Sequence, residues 1–430
     1  MMYIDNILFA IILVAGIGFF TKNVIKLKSN INLGHDVNRT DNPSARWKNM
    51  AMIALGQSKM VKRPVAAFLH IIVYAGFIII NLEVLEIIID GLFGTHRIFS
   101  FLGEFYGFLI GSFEILAVLV LVAVIVFWIR RNVIKLKRFA SSDLKGSPKK
   151  DADTILYFEI VLMSLFLLMN ATDLQFQAMN SGNIISQFIN PWFTSLDIVQ
   201  VEIIEKIAWW IHIIGILTFL NYLYYSKHLH ILLAFPNTYF ADLNPKGQFD
   251  NLESVTKEVK LMMDPFAAQP VDENAVPHKF GASDVQDLNW VQLLNAYTCT
   301  ECGRCTSSCP ANQTGKKLSP RKIMMDTRDR MEEVGRNIDA NKGVFVPDNK
   351  SLLNDYITAE ELWACTSCNA CVEECPVNIS PLSIIMDMRR YLVMEQSAAP
   401  QSLNAMMANI ENNGAPWQFN QQDRLNWKNE

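Results

Sequence analysis

Eight cysteines form two groups with the same spacing, and each group ends in Cys-Pro. The first group is Cys299, Cys302, Cys305 and Cys309, and the second is Cys365, Cys368, Cys371 and Cys375. The chain contains no other cysteine. Grouped thiols in a chain of 430 residues are typical of metal ligation in a reducing compartment, whereas disulfides suit small secreted domains. The cysteines therefore predict metal chemistry.

The spacing C-x2-C-x2-C-x3-C-P is typical of proteins that hold two 4Fe–4S clusters. Three thiolates of one motif bind one cluster, and the fourth reaches the other cluster. This predicts one cluster on Cys299, Cys302, Cys305 and Cys375, and a second on Cys365, Cys368, Cys371 and Cys309. A pair of zinc sites is the alternative, because zinc also binds C-x2-C pairs. Zinc gives no reason for the third C-x2 step or for the proline after each fourth cysteine.

Five apolar runs in the first half of the chain are long enough to cross a bilayer, which needs about 20 apolar residues in a helix. The first run, Ile4 to Phe20, carries Asp5 where a signal peptide would have a basic region, so we interpret it as a membrane helix. The other four runs lie at about 64–89, 105–129, 153–170 and 202–226.

Lysine and arginine are distributed unequally between the segments that join these runs. Nine lie in 22–63 and eight in 130–150, whereas 90–104 has only Arg97 and 171–201 has none. Positively charged segments stay on the cytoplasmic side. We therefore expect an external N-terminus and a cytoplasmic cluster region, in the cytoplasmic (inner) membrane of a bacterium or archaeon.

The expected fold is all-α, with a five-helix transmembrane bundle followed by a cytoplasmic α-helical dicluster ferredoxin domain. In the cluster region, 316–335, 351–364 and Leu382 to Val393 are predicted to be helices. The tail is rich in Asn and Gln and is expected to become ordered against a partner. The predicted parts are a transmembrane domain at 1–240, a connector at 241–290, a dicluster domain at 291–395 and a polar tail at 396–430.

Four histidines lie in or beside the predicted spans, and ionisable residues there tend to be functional. A lone helix histidine is more often packed than a ligand, so geometry has to decide. In a continuous fifth helix, His212 and His230 would share one face about 27 Å apart, and His228 would face the opposite way. His70 and His230 would both lie about 9 Å from the cytoplasmic boundary. Their equal depth predicts that they are the two axial ligands of one haem b.

The stretch "WWIHIIGILTFLNYLYYSKHLHILLAFPNTYF" resembles the fifth helix of the cytochrome b (gamma) subunits of nitrate reductases and of the related membrane subunits of heterodisulfide reductases. The resemblance implies five helices and two haems between the second and fifth, with His70 and His230 on the inner haem and His212 on the outer. This chain has Ile80 and Asn81 where the outer haem's second histidine would lie. We therefore expect one haem b, with His212 packed, hydrogen-bonded or lining a quinone pocket.

The cysteine region resembles the C-type iron–sulfur subunits of heterodisulfide reductases and the helical ferredoxin domains of succinate and glycerol-3-phosphate dehydrogenases. The tail phrase "NIENNGAPWQFNQQDRLNW" is similar to a segment of fused iron–sulfur subunits, although a plain polar tail with two tryptophans is the alternative. The resemblance implies a cytoplasmic, cysteine-rich partner like the B- and D-type subunits of heterodisulfide reductases, or a similar oxidoreductase.

These features predict an electron-transfer subunit of a quinone-linked oxidoreductase complex. Membrane lipid and quinone are the other expected partners, and nucleic acid is not expected. No catalytic nucleophile, Gly-rich nucleotide loop or flavin motif is apparent, so substrate chemistry is assigned to another subunit. The alternative is a haem-free membrane anchor whose clusters serve as a docking or redox-sensing module.

Overall fold

The computed structural model describes residues 4–264 and 279–429, which are α-helical without a β-strand. Within these ranges, five helices are long and apolar enough to cross a membrane. This confirms the predicted all-α class and the five spans, with helix ends shifted from the predicted ones. The five are α1 (Ile4–Ile31), α3 (Pro64–Phe93), α4 (Glu104–Asn132), α5 (Ser147–Thr172) and α8 (Ile198–Tyr222, extended by a 3-10 turn to Tyr225).

The other helices are shorter than these five, and most of them belong to the cluster region. Several begin with proline at a first position, which presets the helical φ angle. The α-helices are α2 (Pro43–Met50), α6 (Leu174–Ala178), α7 (Ser186–Ile189), α9 (His230–Tyr239), α10 (Glu253–Met263), α11 (Trp290–Thr298), α12 (Arg304–Ser307), α13 (Pro310–Gln313), α14 (Pro320–Ala340), α15 (Leu352–Asp355), α16 (Ala359–Trp363), α17 (Ala370–Glu374), α18 (Pro381–Met394) and α19 (Gln401–Asn413). A π segment lies at Ala51–Leu55, and 3-10 turns lie at Ile98–Leu102, Lys137–Phe139, Ser142–Leu144, Asn190–Phe193, Leu223–Tyr225, Lys227–Leu229, Val285–Asp287 and Gln421–Lys428.

Two apolar cores hold the molecule together. One lies in the half of the bundle farther from the cysteines and includes Phe9, Tyr106 and Phe166. The other runs from the near half of the bundle, at Leu162 and Phe219, into the cluster region. Large apolar side chains on the outside of the bundle are exposed, as lipid-facing positions require. The cluster region and the near end of the bundle therefore share one core.

The cluster region packs against the two segments that are rich in lysine and arginine. In the first segment, the Asn30 side chain donates to the Tyr297 hydroxyl at 2.8 Å, and the His35 backbone pairs with the 288–290 backbone. In the second segment, Asp143 forms an ion pair with the buried Arg321 at 2.6 Å. The cysteine region thus lies at the same end of the bundle as both basic segments.

The continuous fifth helix assumed from the sequence is wrong. Helix α8 ends at Tyr222, Ser226 is extended (φ −121, ψ 147), and α9 begins anew at His230. The Asp151 carboxylate stabilises this break, because it accepts hydrogen bonds from the Tyr222 hydroxyl at 2.7 Å and from the Lys227 backbone N–H at 3.2 Å. The predicted shared face of His212 and His230 therefore does not exist, and the predicted orientation of His228 fails with it.

The helices predicted in the cluster region are present with shifted ends. The predicted helix at 351–364 is two short helices, α15 and α16, separated by Tyr356, Ile357 and Thr358. The connector contains one helix, α10, and its residues 265–278 lie outside the described residues. Ala282, Val285 and Leu288, which were assigned to the connector, are buried in the core of the cluster region. The domain boundaries remain a prediction.

Candidate functional site

The two cysteine motifs fold into loops of the same backbone shape. In the first motif, Glu301 and Gly303 have positive φ angles of 52 and 73. The equivalent Ser367 and Asn369 of the second motif have φ angles of 54 and 60. Glycine suits position 303, because it adopts the positive φ without strain and because a Cβ atom there would lie 2.6 Å from the Arg321 guanidinium and 3.1 Å from the Arg138 carbonyl oxygen. The left-handed residues curl each loop so that its thiols converge.

The thiols converge on two neighbouring cavities. Cys299, Cys302, Cys305 and Cys375 line the first, and Cys309, Cys365, Cys368 and Cys371 line the second. Cys371 also lines the first cavity, so the two cavities adjoin. The fourth cysteine of each motif therefore lies with the first three of the other motif.

Backbone N–H groups and cationic side chains surround these thiols. The Ser367 N–H donates to Cys365 Sγ at 3.4 Å, and the Ile379 N–H donates to Cys375 Sγ at 3.3 Å. Burial raises the pKa of Cys299 to about 12, so its free thiol is neutral. A coordinating metal removes that proton. Burial also lowers the pKa of Arg304, a residue that lies beside Cys302. This donor set, with cations close by, suits an iron–sulfur cluster that carries several thiolates.

His70 and His230 line one cavity of about 370 Å³ between the bundle and the cysteine loops. Their ring centroids are 6.5 Å apart, with an angle of 39° between the ring planes. Two imidazoles that each bound one metal through a bond of about 2 Å would have ring centres up to roughly 6 Å apart. The cavity volume falls within the usual range of about 300–1,000 Å³ for ligand sites. The two rings therefore have the separation that one bound metal would need.

The environment of His230 sets its tautomer. His230 Nδ1 lies 3.0 Å from the Lys227 carbonyl oxygen, which can only accept, so Nδ1 carries the hydrogen. Nε2 is then free to bind a metal, in the arrangement usual for histidine ligands. Burial lowers the pKa of His230, which keeps the imidazole neutral. A neutral ring is the form that binds metals.

His228 lines the same cavity, contrary to the sequence prediction. Its ring lies edge-on to that of His230 with centroids 5.4 Å apart. Burial lowers the pKa of His228 to about 3, so this ring is also neutral. The same cavity extends to Cys302 and Arg304. A group bound between His70 and His230 would thus share a wall with the first cysteine loop.

His212 lies in a separate, smaller cavity of about 90 Å³ in the middle of the bundle. Its ring is 2% exposed, and among the described residues its Nδ1 atom has no hydrogen-bond partner. Asn81 and Glu159 line this cavity, and Asn81 is exposed on the outer surface of the bundle. Glu159 also lines the His70–His230 cavity, so the two cavities are neighbours. Among the described residues that line this cavity, His212 is the only histidine.

Comparison with protein families identifies the cysteine region. The family model of the 4Fe-4S dicluster domain matches residues 298–379. This region is a 4Fe–4S dicluster domain. The zinc alternative is therefore set aside, and the eight cysteines of the dicluster domain are the ligands available to its clusters.

The chain is also similar to two curated oxidoreductases. It is 31% identical over 417 residues to the probable iron-sulfur-binding oxidoreductase FadF of Bacillus subtilis, covering 90% of this chain and 55% of that protein. It is 25% identical over 427 residues to the EtfAB:quinone oxidoreductase of Syntrophomonas wolfei, covering 92% of this chain and 55% of that protein. The chain thus spans about half the length of these two relatives.

The dicluster domain has archaeal relatives as well. It is 32% identical over 109 residues to the C-type subunit of the ferredoxin/F(420)H(2)-dependent CoB-CoM heterodisulfide reductase of Methanosarcina acetivorans, covering 25% of this chain and 53% of that protein. This confirms the resemblance to the C-type subunits of heterodisulfide reductases. No solved structure matches the chain.

Several buried charged residues are not among the site residues predicted from the sequence. Glu83 and Glu86 lie buried in α3, and Arg97 and Asp173 are buried at the end of the bundle farther from the dicluster domain. Acidic residues inside predicted spans were a usable signal for the two glutamates. Glu301 lies between two cysteines of the first motif and forms a buried ion pair with Lys227. No sequence pattern pointed to that contact, because it joins segments far apart in the chain.

Proposed function

We propose that this chain carries electrons between a quinone in the bilayer and a partner oxidoreductase, with one haem b and two 4Fe–4S clusters as its redox groups. When bound, a b-type haem and a 4Fe–4S cluster each supply a redox couple whose potential the surrounding protein tunes. The residues of this chain hold these groups in place, separate them from water and set their order.

The position of His70 and His230 carries this proposal. Their rings face each other across a cavity that also reaches Cys302, a ligand candidate for the first cluster. The Lys227 carbonyl oxygen orients the His230 ring, and the Lys227 side chain forms an ion pair with Glu301 in the first cysteine loop. One short turn of chain thus positions a haem ligand and contacts the dicluster domain.

Crossed ligation is proposed for the clusters. It is supported by the grouping of Cys375 with the first motif and of Cys309 with the second. Because Cys371 borders both cavities, two clusters bound in them would be close neighbours. Cys368 of the second motif is exposed, so a partner could approach the second cluster there.

The quinone headgroup is proposed to bind in the cavity beside His212. Asn81 and Phe77 are exposed at the outer surface of the bundle and line this cavity, so a quinone could enter from the lipid. His212 and Glu159 offer polar groups inside it. The name of one relative, EtfAB:quinone oxidoreductase, states a quinone as its substrate, which supports the assignment.

The dicluster domain is proposed to face the cytoplasm. It packs against the two basic segments, and such segments remain on the cytoplasmic side. Relatives occur in bacteria and an archaeon, which fits the cytoplasmic membrane. The likeness to a C-type heterodisulfide reductase subunit supports a cysteine-rich partner of the B or D type.

Reduction by a quinol tests the proposal. A water-soluble quinol added anaerobically to the oxidised full chain should reduce both haem and cluster signals. His212→Leu should slow this reduction about tenfold, as expected for the loss of one hydrogen bond of ~1.5 kcal/mol. The neighbouring, lipid-facing Ile211→Leu is the matched control and should retain the rate. If dithionite reduces the wild-type protein but no quinol does, the quinone linkage is wrong.

A further inference from the structure

A polar cavity of about 320 Å³, the far-end cavity, lies at the end of the bundle farther from the dicluster domain. It runs inward from exposed Asp5, Thr95 and Lys206 to buried Glu83. The cavity therefore connects the interior of the bundle with the water on that side. Charged residues line it although it lies beside membrane-length helices, where charge is costly.

Most carboxylates around this cavity are held by donors of the protein. Glu86 accepts from the Phe99 N–H at 2.8 Å and from the Tyr106 hydroxyl at 2.9 Å. Asp90 accepts from the Arg97 and Ile98 N–H groups at 2.7 and 3.2 Å.

Asp173, at the other side of the cavity, is also hydrogen-bonded by donors of the protein. Asp173 accepts from the buried Arg97 guanidinium at 2.7 Å and from the Phe176 N–H at 2.9 Å. These fixed donors stabilise the ionised form of each carboxylate.

Glu83 differs from these neighbours. It is 3% exposed and lines the inner part of the cavity, yet its Oε2 atom has no hydrogen-bond partner among the residues that the structure describes. It lies about 15 Å along α3 from Phe93, the last residue of that helix, at the rise of an α-helix. An ionised carboxylate without a partner is unfavourable at such a position, unless a proton or another cation neutralises it.

Glu83 also lies at the level of the proposed quinone cavity. Ile80 lines that cavity and is one helical turn from Glu83, on the same face of α3. Asn81, two residues before Glu83, and Val84, the residue after it, line the same cavity. Glu83 therefore lies between the proposed quinone cavity and the far-end cavity.

We propose that Glu83 is a proton-transfer residue, which exchanges protons between the quinone cavity and the far-end cavity. This inference rests on the proposed quinone linkage. The charged and titratable groups that face Glu83 come from every element around it: Glu86 and Asp90 of α3, Arg97 and His96 of the following loop, Tyr106 and Glu114 of α4, Asp173 after α5, Glu205 and Lys206 of α8, and Asp5 of α1.

The chemistry balances with quinol as the reductant. Oxidation of one quinol to quinone breaks two O–H bonds and releases two electrons and two protons. The two electrons pass to the redox centres of the partner oxidoreductase on the dicluster side, or to two ferricyanide ions in the test below, and the two protons leave by way of Glu83 to the opposite side of the membrane. Quinone reduction would take up the same numbers in reverse. The redox reaction would thus separate charge across the bilayer.

Proteoliposomes test this assignment. The full chain is reconstituted with a pH dye trapped inside, and ferricyanide is added outside, so that only molecules with an external dicluster domain can be reoxidised. Quinol addition should acidify the lumen by two protons per quinol oxidised. Glu83→Gln should reduce the rate of lumen acidification by about tenfold or more, as for the loss of a positioned proton acceptor. Glu83→Asp, which keeps a carboxyl, should restore most of it.

The control and a second readout separate proton transfer from a structural role. Glu104→Gln alters an exposed carboxylate at the same end of the bundle and should match the wild type. Infrared difference spectra between oxidised and reduced protein should show a carboxyl band that is lost in Glu83→Gln and retained in Glu104→Gln.

Two outcomes would overturn the assignment separately from the proposed function. If quinol reduces the wild type but the protons appear outside, or if Glu83→Gln acidifies the lumen as fast as the wild type, Glu83 has no such role and the quinone linkage stands. If quinol fails to reduce the wild type at all, both fail.

Discussion

The imidazole rings of His70 and His230 lie with their centroids 6.5 Å apart, although the two residues belong to α3 and α9. The break in the chain at Ser226 turns α9 away from α8 and brings His230 to this position. The proposed haem site therefore depends on a tertiary contact rather than on one straight helix.

Replacing either histidine should remove the haem and leave the clusters. His70→Ala or His230→Ala takes away one of two axial ligands, so the b-type absorption should disappear. The cluster EPR signals should persist, because the eight cysteines are unchanged. His35→Ala, which alters an exposed histidine, should keep the full haem spectrum. Full haem content in both His70→Ala and His230→Ala would eliminate this pair as ligands.

His228 provides a sharper control within the same cavity. His228→Ala leaves the Lys227 carbonyl that orients His230 in place, so the haem should remain bound. Because the His228 ring packs edge-on against His230, a shift in the haem midpoint potential is expected in a redox titration. Complete loss of haem in His228→Ala, with retention in His230→Ala, would exchange the roles of the two residues.

Cysteine substitutions test the crossed ligation. Cys309→Ser should damage the cluster bound mainly by the second motif, and Cys375→Ser the cluster bound by the first, because each lies in the other motif's cavity. EPR spectra at graded potentials would distinguish the two clusters. Ser308→Ala, beside Cys309, is the control and should retain both signals. If Cys309→Ser damaged only the cluster of its own motif, the ligation would not be crossed.

Asp173 should contribute to stability in a pH-dependent way. Burial alone would raise the pKa of Asp173, but the hydrogen bond from His96 and the charge of Arg97 hold it well below its usual value. The folded state therefore binds fewer protons than the unfolded state, and the stabilisation is present above about pH 4 and lost as the pH falls further. Asp173→Asn should cost about 3–5 kcal/mol at neutral pH, because it leaves buried Arg97 without its partner.

Thermal unfolding of the detergent-purified chain measures this effect. The difference in midpoint between wild type and Asp173→Asn should shrink as the pH is lowered below about 4. Glu104→Gln, at an exposed position, should unfold like the wild type at each pH. A difference that grows on acidification would show that the folded state does not hold Asp173 in its ionised form.

Reporter fusions test which side of the membrane holds the clusters. A reporter joined after residue 240 should behave as cytoplasmic, and one inserted at 171–200 as external, because basic residues concentrate at the opposite end of the bundle. Sites in 171–200 that react as cytoplasmic would reverse the proposed orientation.

Local sequence patterns predicted the order of the helices and domains, whereas contacts between residues distant in the chain could not be predicted from them. The five spans and the dicluster domain were predictable because each is encoded in a continuous stretch of sequence: a run of apolar residues or a cysteine motif. The break at Ser226 has no proline or glycine signal, and it depends on the Asp151 carboxylate, which is distant in the chain. For the same reason the sequence could not show that the Glu83 Oε2 atom lacks a hydrogen-bond partner among the described residues, whereas the Glu86 carboxylate accepts two hydrogen bonds.

The most direct test of the proposed electron path is the haem and iron content of the anaerobically purified full chain, measured with its optical and EPR spectra. We expect one haem b with the low-spin signal of two imidazole ligands, together with about eight cluster irons on the eight cysteines. Full cluster iron without any haem would contradict this path and favour a haem-free membrane anchor.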